Sequence, residues 1–327
     1  MYNVVSLFCG CGGVDLGTVG GFVFNKKEYA KHPCKLVYAC DIDPKAVDSH
    51  KLNFDAENAV CADICEVEAD DIPECDILTG GFPCQSFSTV NPTKDPFDDR
   101  ANLYKQMVRI VQAKQPKVFV AENVKGMMTL HKGAIFKRVI SAFEEAGYKT
   151  FHSLLNAADY GVPQKRERVL IVGIRNDIWE QKGDFIFPAK THEGNWAPLS
   201  VAVPELAIEE KKYYFSERAV QGMKNAKNNM KRGLAQNLNE PCLTVTSHLA
   251  KVSLNSRDPV LLVDPAKELY RRFTPLEAAR IQSFPDSFRF VSGIRATERQ
   301  IGNAVPPVLA WHVARAVEDV LRGGMSE

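Results

Sequence analysis

A cysteine stands behind a proline in Gly80-Gly81-Phe82-Pro83-Cys84-Gln85-Ser86-Phe87-Ser88, directly after the apolar run Cys75-Asp76-Ile77-Leu78-Thr79. A thiol at the end of a strand is a candidate nucleophile, because α/β sheets place their chemistry at strand ends. Taken alone, Cys84 reads as a small buried hydrophobe, the commoner state of a free cysteine. Its companions shift that balance. Glu122 follows Val118-Phe119-Val120, in Ala121-Glu122-Asn123-Val124, and Arg166 and Arg168 lie in Gln164-Lys165-Arg166-Glu167-Arg168, just ahead of another apolar run. Two residues apart, the arginines share a face if the chain is extended. Isolated, an acid and two guanidiniums are ordinary surface ion pairs. At three strand ends converging on a thiol, they supply an acid and positive charge to a reacting centre.

A second set reads as a ligand cradle. The run Phe8-Cys9-Gly10-Cys11-Gly12-Gly13-Val14-Asp15 lets a backbone approach a ligand at the mouth of the first strand, although a tight structural turn explains such a loop about as well. The dinucleotide pattern G-x-G-x-x-G is not met, since Asp15 holds its third glycine position. The next strand ends at Asp41-Ile42-Asp43, where a carboxylate can take both ribose hydroxyls, and Ala62-Asp63-Ile64 offers an acid to an adenine amino group. Together they favour an adenosine-containing cofactor that need not carry a pyrophosphate.

The elements that must position these residues alternate through the first half. Val4–Phe8 and Leu36–Cys40 read as strands; Leu103, Met107, Ile110 and Val111 recur at helical spacing until Pro116. A second helix carries Ile135, Phe136, Val139, Ile140 and Phe143 and stops near Gly147. The runs Phe151–Leu155 and Arg168–Ile174 are close enough to pair antiparallel. The expected fold is α/β, a Rossmann-like, mostly parallel sheet with helices on both faces. From about Asn176 the periodicity dissolves until helical spacing returns at Thr274–Ser283 and again from Pro306 to Leu321. Residues 1–175 plus 285–327 are therefore expected to form one domain, with 176–284 as a smaller, irregular domain with a hinge.

Composition limits the class. With 327 residues, 45% hydrophobic and 25% charged, the chain is an ordinary globular protein. No apolar run reaches the ~18 residues of a membrane span. The nine cysteines contain no C-x2-C pair, so no metal site is expected and reduced thiols point to the cytoplasm. The net charge of +1 hides an asymmetry: residues 55–76 hold nine acids and no base, whereas 209–232 hold seven bases against three glutamates. The basic run is a polyanion contact or a solvated face.

Six pieces in order resemble the DNA cytosine-5 methyltransferases, over nearly the full length. They are Phe8-Cys-Gly-Cys-Gly-Gly, Gly81-Phe-Pro-Cys-Gln, Glu122-Asn-Val, Gln164-x-Arg-x-Arg, the run from Arg272 through Pro285, and Ile301-Gly-Asn-Ala-Val-Pro-Pro. The resemblance implies an S-adenosylmethionine-dependent enzyme, releasing S-adenosylhomocysteine, that methylates C5 of a cytosine flipped out of double-stranded DNA. It assigns Cys84 to attack on C6, Glu122 to N3 and the exocyclic amine, Arg168 to O2, and Arg166 to support of the cysteine loop. For the cofactor it assigns Phe8, Gly10, Gly12, Asp41, Ile42, Asp63 and Asn303, the last also readable as a helix cap. For DNA it points to Gln85, Ser88 and Arg100 in a catalytic loop, and to Lys231, Arg232 and Thr244 in the recognition region. The frame around Thr244-Val245 is reminiscent of methylases acting on GGCC, but Lys231-Arg232-Gly233-Leu234-Ala235-Gln236 replaces their arginine-rich run, so that target is not carried over. The implied setting is a bacterial or phage monomer acting on nucleoid DNA, with a restriction endonuclease encoded elsewhere as its possible counterpart.

Rival readings fare worse. A cytidine deaminase needs H-x-E and C-x2-C for zinc, and neither is present. A dinucleotide oxidoreductase leaves Pro83-Cys84-Gln85 unexplained. A non-catalytic DNA-binding protein does not require Cys84 and Glu122, and against a tRNA methylase within the family the long recognition region favours duplex DNA, a choice that comparing the two substrates settles.

Overall fold

The computed structural model describes residues 1–83, 103–225, 235–247, 249, 260–291 and 293–323. In chain order the first half reads β1 (Tyr2–Leu7), α1 (Gly13–Val19), β2 (Phe22–Phe24), β3 (Lys27–Tyr29), β4 (Cys34–Asp41), α2 (Pro44–Lys51), β5 (Ala59–Cys61), β6 (Ile77–Gly80), α3 (Tyr104–Lys114), β7 (Val118–Val124), α4 (Ala134–Glu145), β8 (Tyr148–Asn156), β9 (Gln164–Lys165) and β10 (Glu167–Arg175). The second half adds α5 (Asn176–Lys182), α6 (Glu217–Asn225), β11 (Cys242–Leu243), β12 (Leu261–Asp264), β13 (Leu269–Arg271), α7 (Pro275–Ile281), α8 (Ile294–Asn303) and α9 (Pro307–Arg322).

Seven strands make the main sheet, in the order β5-β4-β1-β6-β7-β10-β8. Neighbours are parallel except at β10, which runs antiparallel to both β7 and β8. The expected α/β sheet is thus present, and the two runs near its end pair as their short separation suggested. From β1 the chain moves outward to β4 and β5, then returns to β6 on the other side of β1. That reversal opens a crevice above the carboxyl ends of β1 and β6, the place where open α/β sheets bind ligands.

Helix periodicity follows from burial. On α3, Tyr104, Met107, Val108, Ile110 and Val111 are buried, and Gln115 in the left-handed region followed by Pro116 ends the helix. On α4, Ile135, Phe136, Val139 and Phe143 are buried, and both helices share one core with Leu7, Leu78, Phe119 and Ile171 of the sheet. The opposite face is covered by α1 and by α9, whose Val308, Leu309, Val313 and Val317 are buried. Ile178, Trp179, Phe185 and Phe187 also pack beneath the sheet.

One close approach sets the spacing of β7 and β10. Gly173 pairs with Phe119, and a Cβ at Gly173 would lie 1.9 Å from Phe119 Cε1. Phe119 cannot easily yield, being stacked on Phe143 at 4.2 Å. Gly173→Ala is expected to lower stability by about 1–3 kcal/mol, read as a lower urea midpoint at unchanged slope; an unchanged midpoint would show that the ring rotates away freely.

The later residues build a further cluster from Leu199, Val203, Cys242, Val245, Leu261, Phe273, Ile281 and Phe284, together with Cys11 of the first loop. Helix α7 is fixed by a capping box: Thr274 Oγ1 accepts from Glu277 N, and Glu277 Oε2 accepts from Thr274 N. The same Glu277 receives both terminal nitrogens of the fully buried Arg271, at 2.8 and 2.7 Å. No helix among the described residues is long and apolar enough to cross a membrane.

Candidate active site

Glu122 lies near the carboxyl end of β7. Because β10 runs antiparallel there, its beginning lies beside that end, and Arg168 is delivered to the carboxylate. Arg168 Nε lies 2.7 Å from Glu122 Oε1, with the two side chains only 12% and 14% exposed. A second Arg168 nitrogen donates to Glu167 O, which fixes the guanidinium plane. Gly81 is also close: a Cβ there would sit 3.2 Å from Glu122 Oε2, so a side chain at that position would crowd the acid. Asn123 donates from Nδ2 to Phe82 O at 3.0 Å, tying β7 to the chain immediately before Pro83 and Cys84. Cys84 itself, with Gln85, Ser88, Arg100, Lys231 and Arg232, lies outside the described residues.

Arg166 is fully buried and works differently from Arg168. It donates to Val245 O, Gly302 O and Ala304 O, each at 2.9 Å. Burial first, then the charge of Arg168, pushes its pKa well below the ordinary guanidinium value, and Glu122 pulls it back. The described part of the cysteine loop, Gly81–Pro83, is not among its hydrogen-bond partners; the side chain instead ties its own segment to two distant stretches of chain, at Val245 and at residues 302–304. Gln164 was visible in the sequence only as part of a motif. It donates to Gln282 Oε1 and Ile281 O and accepts from Val245 N, while Gln282 donates to Ile301 O. Thr244 is half-buried, with its hydroxyl donating to Lys165 O at 2.7 Å.

Of the expected cofactor residues, Gly10 and Asp41 meet at the mouth of β1 and β4. Asp41 accepts from Gly10 N at 2.8 Å and from Asp43 N at 2.9 Å, and burial raises its pKa against the pull of those bonds. Phe8 takes φ 55, a conformation that costs a bulky residue about 1–3 kcal/mol and clusters at functional sites. Gly10, at φ +55, faces open space. Ile42 is 66% exposed beside this loop, an apolar surface for a flat ring. Asp63 is half-buried and accepts from Cys65 N. Asn303 is exposed and ends α8, whereas the residue flanking the start of α9 is Pro306; the cap reading therefore does not apply to α9. These residues fit an adenosyl cofactor in chemistry: carboxylates for the ribose and adenine, and a glycine loop with room in front of it.

The seven-stranded α/β sheet thus carries an acid–arginine pair at one strand end and, at the mouth of β1 and β4, a carboxylate that holds a glycine loop. The family's sequence model, for C-5 cytosine-specific DNA methylases, matches residues 2–319, and the chain belongs to that family. It is accordingly a DNA cytosine-5 methyltransferase. Among its relatives, the type II methyltransferase M.NgoFVII of Neisseria gonorrhoeae is 35% identical, across 96% of this chain and 86% of that protein. M.NlaX of Neisseria lactamica is 33% identical, across 100% and 98% respectively. In fold, the chain is similar to S. pombe Dnmt2, with a TM-score of 0.71 and 18% identity over 97% and 99% of the two chains. It is also similar to a putative DNA modification methyltransferase encoded within an E. coli prophage, with a TM-score of 0.70 and 23% identity over 98% and 100%.

Proposed function

We propose that the protein methylates C5 of a flipped cytosine in a specific duplex DNA sequence, through a covalent adduct between Cys84 and C6. The observation that carries this reading is the Arg168–Glu122 pair at 2.7 Å, set against Gly81 three residues before Cys84. Cytosine is electron-poor, so its C5 is a weak nucleophile until a thiolate adds to C6. Glu122 donates a proton or hydrogen bond at N3, where the added electron pair accumulates, and accepts a hydrogen bond from the exocyclic amine, while Arg168 orients Glu122 and offsets charge at O2. S-adenosylmethionine, when bound, supplies the electrophilic methyl group and leaves as S-adenosylhomocysteine. Loss of the C5 proton and departure of the Cys84 thiolate from C6 then restore the aromatic ring.

C6 is inaccessible in a stacked duplex, so the base must leave the helix at a cost of a few kcal/mol. Residues 176–284 are proposed to read the target, with Lys231, Arg232 and Thr244 facing DNA. Gln85, Ser88 and Arg100 would hold the strand from which the base is flipped. Phe8, Gly10, Gly12, Asp41, Ile42, Asp63 and Asn303 hold the cofactor in this scheme. The enzyme, of bacterial or phage origin, is proposed to act as a monomer in the cytoplasm, either solitary or beside a restriction endonuclease encoded elsewhere.

The test is transfer of labelled methyl from S-adenosylmethionine to duplex DNA, mapped by bisulfite sequencing and run beside a tRNA substrate. Label at C5 of cytosines in one short duplex sequence is expected. Label in tRNA alone, or none in either, would discard the duplex reading.

A further inference from the structure

Behind the cradle lie two buried polar side chains that the reaction does not use. Asp15 on α1 and His50 on α2 are both fully buried, and His50 Nε2 lies 3.0 Å from Asp15 Oδ2. Among the described residues, Asp15 Oδ1 and His50 Nδ1 have no hydrogen-bond partner. Each side chain therefore depends on the other to offset its loss of water.

Gly12 is fitted against this pair. It sits at φ +96, and a Cβ there would lie 3.0 Å from His50 Cδ2 and 2.4 Å from Phe54 Cε2. The rings of His50 and Phe54 are themselves 4.5 Å apart. Asp43, only two residues beyond Asp41, caps helix α2, its side chain accepting from Lys45 N. Asp41 holds Gly10 N. A closed ring results: Gly10 to Asp41, along α2 to His50, across to Asp15 on α1, and back to Gly12.

We infer that the Asp15–His50 hydrogen bond is a positioning device for the cofactor, fixing the glycine loop relative to Asp41 so that the cradle stands formed before the cofactor arrives. The inference rests on the proposal that these loops hold S-adenosylmethionine. A directional bond is suited to this work, because an apolar contact would fill the same space without fixing how α1 and α2 are set against each other. Preformed cradles bind more tightly, since less ordering remains to be done on binding. Cys9 lies nearby, its sulfur, an Asp15 oxygen and a His50 nitrogen all falling within 4.8 Å of one another, a donor set that zinc accepts. Its thiol instead donates to Gly10 O, and Nε2 of His50 is already engaged by Asp15 Oδ2. The brace is the better account of the cluster.

Calorimetric titration of S-adenosylmethionine and S-adenosylhomocysteine into the DNA-free enzyme tests this. His50→Ala should weaken both by about tenfold or more. His50→Gln, which returns an N–H near the Nε2 position, should recover most of that loss, and KM for the cofactor should rise more than kcat falls. The double change Asp15→Leu with His50→Phe separates positioning from stability: it fills the space without the bond, should fold, and should still bind the cofactor weakly. Wild-type affinity in that double variant, or in a folded His50→Ala, overturns the inference. So does equal loss in the alanine and glutamine variants, which would assign the effect to ring packing. One equivalent of zinc in the purified protein would also overturn it, in favour of a ligated cation. If the wild type binds neither ligand, the cofactor proposal fails first and the brace fails with it.

Discussion

Cys84→Ser is expected to abolish methyl transfer while leaving S-adenosylmethionine affinity close to wild type. A serine hydroxyl at neutral pH carries almost none of the anion that adds to C6, whereas a free thiol of pKa ~8.5 is already a few per cent thiolate. The cradle residues belong to different strand ends, so the cofactor should not register the change. A companion measurement isolates the covalent step. Duplex carrying 5-fluorocytosine at the target should trap the wild type as a complex that survives denaturing gel electrophoresis, because the fluorine cannot leave as the C5 proton does. The serine variant should form none. Full turnover by Cys84→Ser would end the adduct mechanism, and a trapped serine variant would place the attacking group elsewhere.

Glu122→Gln should lower turnover by ~10²-fold or more, the usual scale for a general acid–base group. The amide keeps the shape and can still meet Arg168 through its oxygen, so the 2.7 Å contact can be retained in outline while the proton is lost. Target-DNA affinity should change far less than kcat. The opposite pattern, poor DNA binding with normal single-turnover chemistry, would make Glu122 a structural partner of Arg168 and remove it from the reaction.

Local signals made much of the sheet legible. The stripe on α3 ends where Pro116 requires it to, and the runs that became β8 and β10 were long, apolar and near one another in sequence. The Arg168–Glu122 meeting was legible only in part. Both residues could be placed at strand ends, but their contact depends on β10 running antiparallel to β7, and no local pattern states strand direction outright. Pairings across long separations were hidden altogether: β9 pairs with β11, Gln164 with Cys242, and Arg166 reaches Val245 and Gly302. A guanidinium in a Gln-x-Arg-x-Arg run looks equally suited to substrate or to backbone carbonyls until the fold brings those carbonyls in.

Other features leave only a faint local trace in the sequence. Asn25 and Lys26, both at positive φ, turn the β2–β3 hairpin, but the turn lacks the glycine that usually announces such hairpins. Thr274-Pro275-Leu276-Glu277 carries the threonine-to-glutamate spacing of a capping box, which marks where α7 begins. Asp15 stood out in the sequence only as the residue that spoils a dinucleotide pattern, and nothing local tied it to His50.

The placement of α9 has a consequence for when activity can begin. Ribosomes deliver the strands first, and the side of the sheet bearing Val4, Ile77, Val118 and Val172 belongs to the same cluster as Val317 near the end of α9. Until that helix leaves the exit tunnel, this apolar side lacks part of its cover and invites chaperones or proteases. A chain cut short before residue 307 would therefore expose the Val4, Ile77, Val118 and Val172 side of the sheet that Val317 helps to cover.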